Sequence, residues 1–398
     1  MLKAFLLFLA QGATTMTNAK TNTPGSLDHR LDEVIQHAMT EKRIIGTVVI
    51  VAKDGKVIYR KAHGLSDREA GKPMKEEAIF RFASLTKPIT SITALRLVDR
   101  GILHLEDPVT KWLPDFKPKL QDGSTPVITI EQLLNHTAGL SYLFLEKQDG
   151  PYHQAGVFDG LADSGITLDE NLKRIGRAPL VYKPGTRWQY SMSLDVLGRV
   201  IEKASGKNLE EAVHELVTGP LQMKHTRFVA PKTWELVTPY LNRDPEPVRM
   251  GEKNFKVPLG SSEITFSPAR AYDPSAYFSG GSGMLGTADD YLTFLEAIRK
   301  GALLNGPLMK KVFTNSTGSL PIPLAGSGWG WGLISALLLN PEKAKMPMGQ
   351  DSLGWSGTYG HTWWIDPLNK YSVVILTNCA FEGMAGKFPE EIRAAVYK

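Results

Sequence analysis

The two ends of the chain constrain the fold most, because both read as strands joined by turns too short to hold a crossover helix. Near the start, residues 46–52 and 57–61 are β-branched runs separated by Lys53-Asp54-Gly55-Lys56, and Asp-Gly between such runs is a strong hairpin signal. Near the end, 329–334, 358–365 and 371–376 read as strands, with Asp366-Pro367-Leu368-Asn369 turning the last pair. Parallel neighbours need connections of a dozen or more residues, so the short turns predict antiparallel pairing. Helical spacing covers 31–39 and 389–397 at the flanks, and 89–100, 130–135, 195–205, 209–217 and 288–300 between them. The expectation is an α+β fold, with a central antiparallel sheet built from both termini, flanking helices and a mostly helical inserted domain. In residue terms, 28–83 and 300–398 make a discontinuous sheet domain, 84–299 a mainly helical domain, and 1–27 a tail or signal segment.

At 398 residues the chain holds two or three domain-sized units or one composite body. Hydrophobic residues at 42% and charged residues at 22% exclude a disordered chain, a collagen and a multi-span membrane protein. The net charge of +5 is spread along the chain, which fits a mildly basic solvated surface and not a nucleic-acid footprint. The single cysteine, Cys379, excludes an intrachain disulfide and a cysteine-based zinc cage, and it reads as a small packed residue. The histidines are too scattered to suggest a metal cluster, and His136 and His361 read as structural, so no metal and no cofactor are expected. Lys3 followed by apolar residues 4–10, with small residues at Ala10 and Gly12, looks like a compressed secretory signal, far too short to span a bilayer. Met16 opens a polar stretch that could equally begin the protein. The first reading places the protein in the periplasm or outside the cell, the second in the cytoplasm.

Common hydrolase and nucleotide signatures are missing: there is no G-x-S-x-G elbow, no H-E-x-x-H, no P-loop and no dinucleotide fingerprint. Gly280-Gly281-Ser282-Gly283 approaches an elbow but runs on into Met284. What remains is Phe82-Ala83-Ser84-Leu85-Thr86-Lys87, where a serine and a lysine three apart at a helix start place both head groups on one face. A serine hydroxyl is a weak nucleophile until something takes its proton, and a lysine of lowered pKa can do so or can hold another base anionic. The backbone N–H of Ser84 at that helix start also suits an oxyanion donor. A second element is Arg187-Trp188-Gln189-Tyr190-Ser191, after a Lys183-Pro184-Gly185 turn, whose tyrosine taken alone reads more readily as a packed aromatic. A third is Gly354-Trp355-Ser356-Gly357-Thr358-Tyr359-Gly360, whose glycines let a backbone approach a ligand or make a bulged edge strand.

Together and in this order, the three elements resemble the serine β-lactamase and penicillin-binding-protein superfamily, and most closely the class C β-lactamase-like carboxylesterases called family VIII. The resemblance extends over Gly101 to Val109, Leu133 to Leu140, Lys183-Pro184-Gly185, Gly280 to Gly283 and Thr287 to Tyr291, nearly the whole chain from about residue 28. It implies the β-lactamase/transpeptidase-like fold, Ser84 as the acylated nucleophile and Lys87 as its partner. It also implies Tyr190 as a tyrosinate-like base that shuttles the proton between Ser84 and the leaving alkoxide, and the N–H groups of Ser84 and Thr358 as the oxyanion hole.

Two departures from the β-lactamase pattern separate sub-functions. Trp355-Ser356-Gly357 stands where class C enzymes have Lys-Thr-Gly, so an apolar indole replaces the cation that anchors a drug carboxylate. Met192 stands where an asparagine would hold the substrate's amide carbonyl. Both match the esterase branch. The leading expectation is a serine carboxylesterase for neutral, short-chain acyl esters, with Trp355, Ser356, Gly357, Met192 and Tyr142 lining the substrate and weak β-lactam turnover compatible with the site. The alternatives are a β-lactamase or D-Ala-D-Ala peptidase, an acyltransferase, and least of all a silent scaffold. The expected partner is a small-molecule ester, with no nucleic acid and no membrane span; the sequence leaves the oligomeric state open. Acyl-side specificity is expected to reside in the loops at 142–152 and 232–275.

Overall fold

The computed structural model describes residues 25–163 and 165–398. The expected signal segment at residues 3–12 lies outside the described residues. Among the described residues, eight strands form one antiparallel sheet. In chain order these are β1 (Gly46–Lys53), β2 (Lys56–Asp67), β3 (Lys72–Pro73), β4 (Trp329–Trp331), β5 (Ala336–Leu338), β6 (Leu353–Gly357), β7 (His361–Asp366) and β8 (Tyr371–Thr377). Their spatial order is β4-β5-β6-β7-β8-β1-β2-β3, so the sheet's first strand in the chain pairs with its last, with Val49 opposite Ile375. The sheet is built from both ends of the chain.

Turn chemistry sets the register. Asp54 (φ 52°) and Gly55 (φ 82°) both adopt the left-handed conformation, the requirement of a two-residue hairpin turn whose twist matches the strands it joins. At the other hairpin the buried Asp366 carboxylate accepts the Asn369 N–H at 2.9 Å, the Gly349 N–H at 2.9 Å and the Tyr397 hydroxyl at 2.8 Å. It ties the β7–β8 turn to the last helix of the chain.

The central strands are apolar on both faces because both faces are covered. Val48, Ile50, Trp363, Val374 and Leu376 point into the main core, while Val49, Val51, Trp364, Val373 and Ile375 meet α1 (Leu27–Thr40) and the terminal helix at Lys387–Tyr397. Period-2 side chains buried on both sides read as a continuous Val/Ile run, which is what the sequence carries. The main core continues into a helical body around α2 (Thr86–Asp99), α3 (Ser193–Ser205) and α4 (Ala288–Arg299). No helix among the described residues is long and apolar enough to cross a membrane.

Several elements differ from the expectation. The strand expected at 358–365 begins only at His361; Thr358 to Gly360 form a turn, and Gly360 (φ 106°) is required there because a Cβ would lie 2.2 Å from the Cys379 carbonyl oxygen. The strand expected at 329–334 stops at Trp331. β5, the helix Leu168–Arg177 and the hairpin of Phe255–Leu259 with Ser262–Phe266 carry no expectation. The bulged edge strand that 354–360 allowed is β6, but it ends at Gly357 and lies inside the sheet between β5 and β7.

Deleting the Ile50 side chain opens a cavity between sheet and helices. Ile50→Ala should lower stability by about 2–5 kcal/mol, read as a fall in the urea midpoint. Val57→Ala, on a half-exposed side chain of β2, should stay within about 0.5 kcal/mol.

Candidate active site

The Ser84 turn is anchored from both sides. Phe80–Arg81 pairs antiparallel with Leu285–Gly286, and the Phe82 N–H donates to the Met284 carbonyl at 2.8 Å. The chain then bends through Ala83, a non-glycine residue at φ 46°, into the single turn Ala83–Leu85 that opens α2. Ser84 is 7% exposed at the mouth of this helix. One turn on, Lys87 is 2% exposed; its Nζ donates to Ser84 Oγ at 3.1 Å and to the Gly281 carbonyl at 2.9 Å. The three-residue spacing thus does bring the two head groups together.

α2 is enclosed on all sides, and its polar residues find partners across the seam. Thr90 Oγ1 donates to the Gly280 carbonyl at 2.8 Å, and the Met284 N–H donates to Thr86 Oγ1 at 3.0 Å. A Cβ on Gly280 would lie 2.3 Å from the Leu194 carbonyl. The run Gly280-Gly281-Ser282-Gly283 is therefore a slim strap threaded between α2 and α3.

Tyr190 arrives on the segment preceding α3, zipped to residues 136–141. The Gln189 N–H donates to the His136 carbonyl and the Met192 N–H to the Ser141 carbonyl, both at 3.1 Å, while His136 Nδ1 lies 3.3 Å from Ser191 Oγ. The buried Tyr190 hydroxyl accepts the Trp355 indole N–H at 3.0 Å. Lys87 Nζ lies 4.5 Å from the centroid of the Tyr190 ring. An aromatic wall continues from there: the Trp331 ring lies 4.6 Å from Trp355, His136 4.9 Å from Tyr190, and Tyr142, 5.3 Å from Tyr190, stacks on Phe144 at 4.7 Å.

β6 supplies the opposite bank. Trp355 faces Tyr190, while Ser356 Oγ pairs with Thr362 Oγ1 at 3.2 Å. Gly357 permits the closest approach, since a Cβ there would stand 2.5 Å from the Phe82 carbonyl oxygen, and Thr358 follows at the start of the turn. Met192 caps α3 with 0% exposure, packed in the main core. Ser84, Lys87, Tyr190, Trp355 and Tyr142 are thus gathered at one seam. Sequence reasoning passed over Trp331, Phe144 and Asp195; only Asp195 had a readable signal, an acid in the first turn of the helix that follows Tyr190.

Burial dominates the electrostatics. It pushes the Lys87 ammonium down to about 7, opposed by the negative charges of Asp195 and Asp159. It pushes the Tyr190 phenol up, against the lowering influence of Ser84 and of the Trp355 indole N–H, and holds His136 well below its ordinary value. Desolvation also raises Asp195 and Asp159, each to about 6. At neutral pH the tyrosine is a neutral phenol and the lysine is poised between its two forms.

The described residues contain no group of three or more His, Cys, Asp or Glu able to hold a metal ion. The chain matches the Beta-lactamase family over residues 31–397. It is 46% identical over 375 residues to Esterase EstB of Burkholderia gladioli, covering 94% of this chain and 95% of that protein. Among solved structures, it superposes on EstCE1, described as a hydrolase with promiscuous acyltransferase activity, with a TM-score of 0.89 and 40% identity over 94% of this chain and 98% of that one. A penicillin-binding protein homologue from Pyrococcus abyssi shares the fold at a TM-score of 0.70 and 23% identity, covering 92% of this chain and 76% of that one.

The contact of Gly357 with the Ser84 turn is directly testable. Gly357→Ala should overpack the seam, costing about 1–3 kcal/mol as a lowered Tm, and should slow labelling of Ser84 by an organophosphonate. Unchanged labelling would show that β6 does not position the turn.

Proposed function

The chain belongs to the Beta-lactamase family, and on that premise we propose that it is a serine carboxylesterase acting on neutral, short-chain acyl esters. The observation that carries the reading is the Ser84 hydroxyl 3.1 Å from a buried lysine amine. The similarity to Esterase EstB and to the hydrolase EstCE1 supports the same class of reaction.

Neutral Lys87 keeps one N–H on the Gly281 carbonyl and turns its lone pair to Ser84 Oγ–H. Ser84 Oγ attacks the ester carbonyl carbon as its proton moves to Lys87 Nζ. The carbonyl oxygen becomes an oxyanion held by the N–H groups of Ser84 and Thr358. As the C–O bond to the leaving group breaks, the alkoxide takes the Tyr190 proton, and the Lys87 ammonium, 4.5 Å from the centroid of the Tyr190 ring, gives its proton to the phenoxide left behind. Water then attacks the acyl-serine carbon and gives a proton to Lys87; the acyl–Oγ bond breaks, the acid leaves, and Ser84 Oγ takes that proton back. The resemblance implied a tyrosinate base; burial of Tyr190, with Lys87 over its ring, supports a neutral phenol that relays the proton while Lys87 acts as base.

Trp355 and its partner Trp331 offer apolar surface where a carboxylate-binding lysine would stand, which supports neutral esters over penicillins. Ser356, Gly357 and Tyr142 line the same cleft in this reading, and Met192 backs it from the core. A comparison of kcat/KM for nitrophenyl acetate, butyrate and octanoate with a penicillin and a chromogenic cephalosporin should favour the short esters; a penicillin preference would overturn the substrate class. Ser84→Ala should lower ester hydrolysis by at least about 1,000-fold. Activity needs the unprotonated lysine, so kcat/KM should fall as pH drops through about 7, approaching tenfold per unit. A profile flat through that range would sink Lys87 as the base.

A further inference from the structure

α3 carries a buried carboxylate for which the proposed proton relay has no use. Asp195, five residues after Tyr190, is 0% exposed. Its Oδ1 accepts the Ser279 hydroxyl at 2.6 Å, while Oδ2 is buried without a hydrogen-bond partner. Gly281 shows where Oδ2 lies: a Cβ built on this glycine would stand 2.6 Å from Asp195 Oδ2, 3.1 Å from the Tyr142 hydroxyl and 3.5 Å from Lys87 Nζ. Carboxylate, phenol and amine converge on the bare flank of the residue whose carbonyl receives the Lys87 N–H.

Lys87 makes its hydrogen bonds to neutral acceptors and, among the described residues, no direct ion pair. An ammonium removed from water needs compensating charge nearby. That charge comes from one layer behind. Asp195 and Asp159 are the carboxylates that act on Lys87, and Arg270, held over the Tyr277 ring at 4.6 Å, is the second cation of the group. Two carboxylates thus balance two cations, while Tyr142, Tyr190, Tyr277 and His136 face the same space as neutral groups.

We propose that Asp195 is a positioning residue which, through its contact with Gly281 and its charge behind Lys87, sets the pH at which that lysine becomes the working base. The inference rests on Lys87 as base. The direction of its effect follows from charge: an ionised Asp195 favours the ammonium, so removing it lets Lys87 turn neutral at lower pH. Ser279 steadies the anion through its hydroxyl, and the two variants act on these two levers separately.

The test is the pH profile of ester kcat/KM, with the rate of Ser84 labelling by an organophosphonate as a second readout. In Asp195→Asn the acid limb should move down by about one pH unit, raising the ratio of activity on the acid side to activity on the plateau. Ser279→Ala keeps the carboxylate but removes its donor, so Asp195 loses its charge at higher pH and the limb should move the same way by less. A purely structural Asp195 would lower the plateau and leave the limb in place, and that result overturns the inference. If Asp195→Asn does not fold, Ser279→Ala decides, and an unmoved limb there counts against the inference. A wild-type profile without an acid limb near neutral pH would instead sink the base assignment itself, whatever the variants do.

Discussion

Taking the Lys87 amine out of water is the constraint on which the rest of the site depends. A lysine 2% exposed on a helix enclosed from every side cannot rely on solvent to hold its charge. Burial therefore brings its titration toward neutrality, and the same burial keeps the Tyr190 phenol protonated. The helix must also be polar where it would otherwise be apolar. Thr86 and Thr90 spend their hydroxyls on the strap at 280–284, and the strap can lie so close only because Gly280 and Gly281 carry no side chain. Ser84, Lys87 and the glycine strap are parts of one packing solution.

The other bank of the seam is set by a strand inside the sheet, between β5 and β7. β6 approaches the Ser84 turn within the space of a missing Cβ at Gly357, and it carries Trp355 to the Tyr190 hydroxyl. An indole N–H is a neutral donor. It orients the phenol and partly offsets the cost of burying it, but gives it none of the positive potential of an ammonium. In the proposed mechanism this one residue bears on both substrate choice, through an apolar face, and proton chemistry, through the charge it does not supply.

Much of this was legible in the sequence, for reasons that differ from element to element. The Asp54-Gly55 hairpin was readable because both positions need left-handed backbone and the sequence supplies residues that tolerate it. Ser84 and Lys87 were readable because a helix brings positions three apart onto one face. β6 was legible only as one of two readings, a ligand approach or a bulged edge strand, because its two glycines, placed for close approach, lower its strand propensity. Thr358 to Gly360 looked like strand because the turn is bounded by strand-forming residues, and its one diagnostic, the positive φ of Gly360, is a tertiary demand made by Cys379. Asp195 could be seen as an acid in a helix first turn, where the local expectation is a solvated carboxylate. That it is buried behind Lys87 depends on Ser279 and Gly281, more than 80 residues along the chain, and no local pattern carries that.

The pairing of β1 with β8 has a consequence in time as well as in space. Val49 and Ile375 are cross-strand partners, so about 330 residues separate the two edges that must meet. A ribosome delivers β1 and β2 early and then synthesises the whole helical body before β8 exists. Until then the inner edge of β1 has no neighbour, and its Val/Ile face lacks the terminal helix that covers it in the finished molecule. Closing the sheet is therefore a late event that joins the first and last portions of the chain at once. The seam is completed only in this last act, because β6 and Trp355 come from the portion that arrives at the end. The emerging chain can carry Ser84 and Lys87 long before it carries the strand that faces them across the seam.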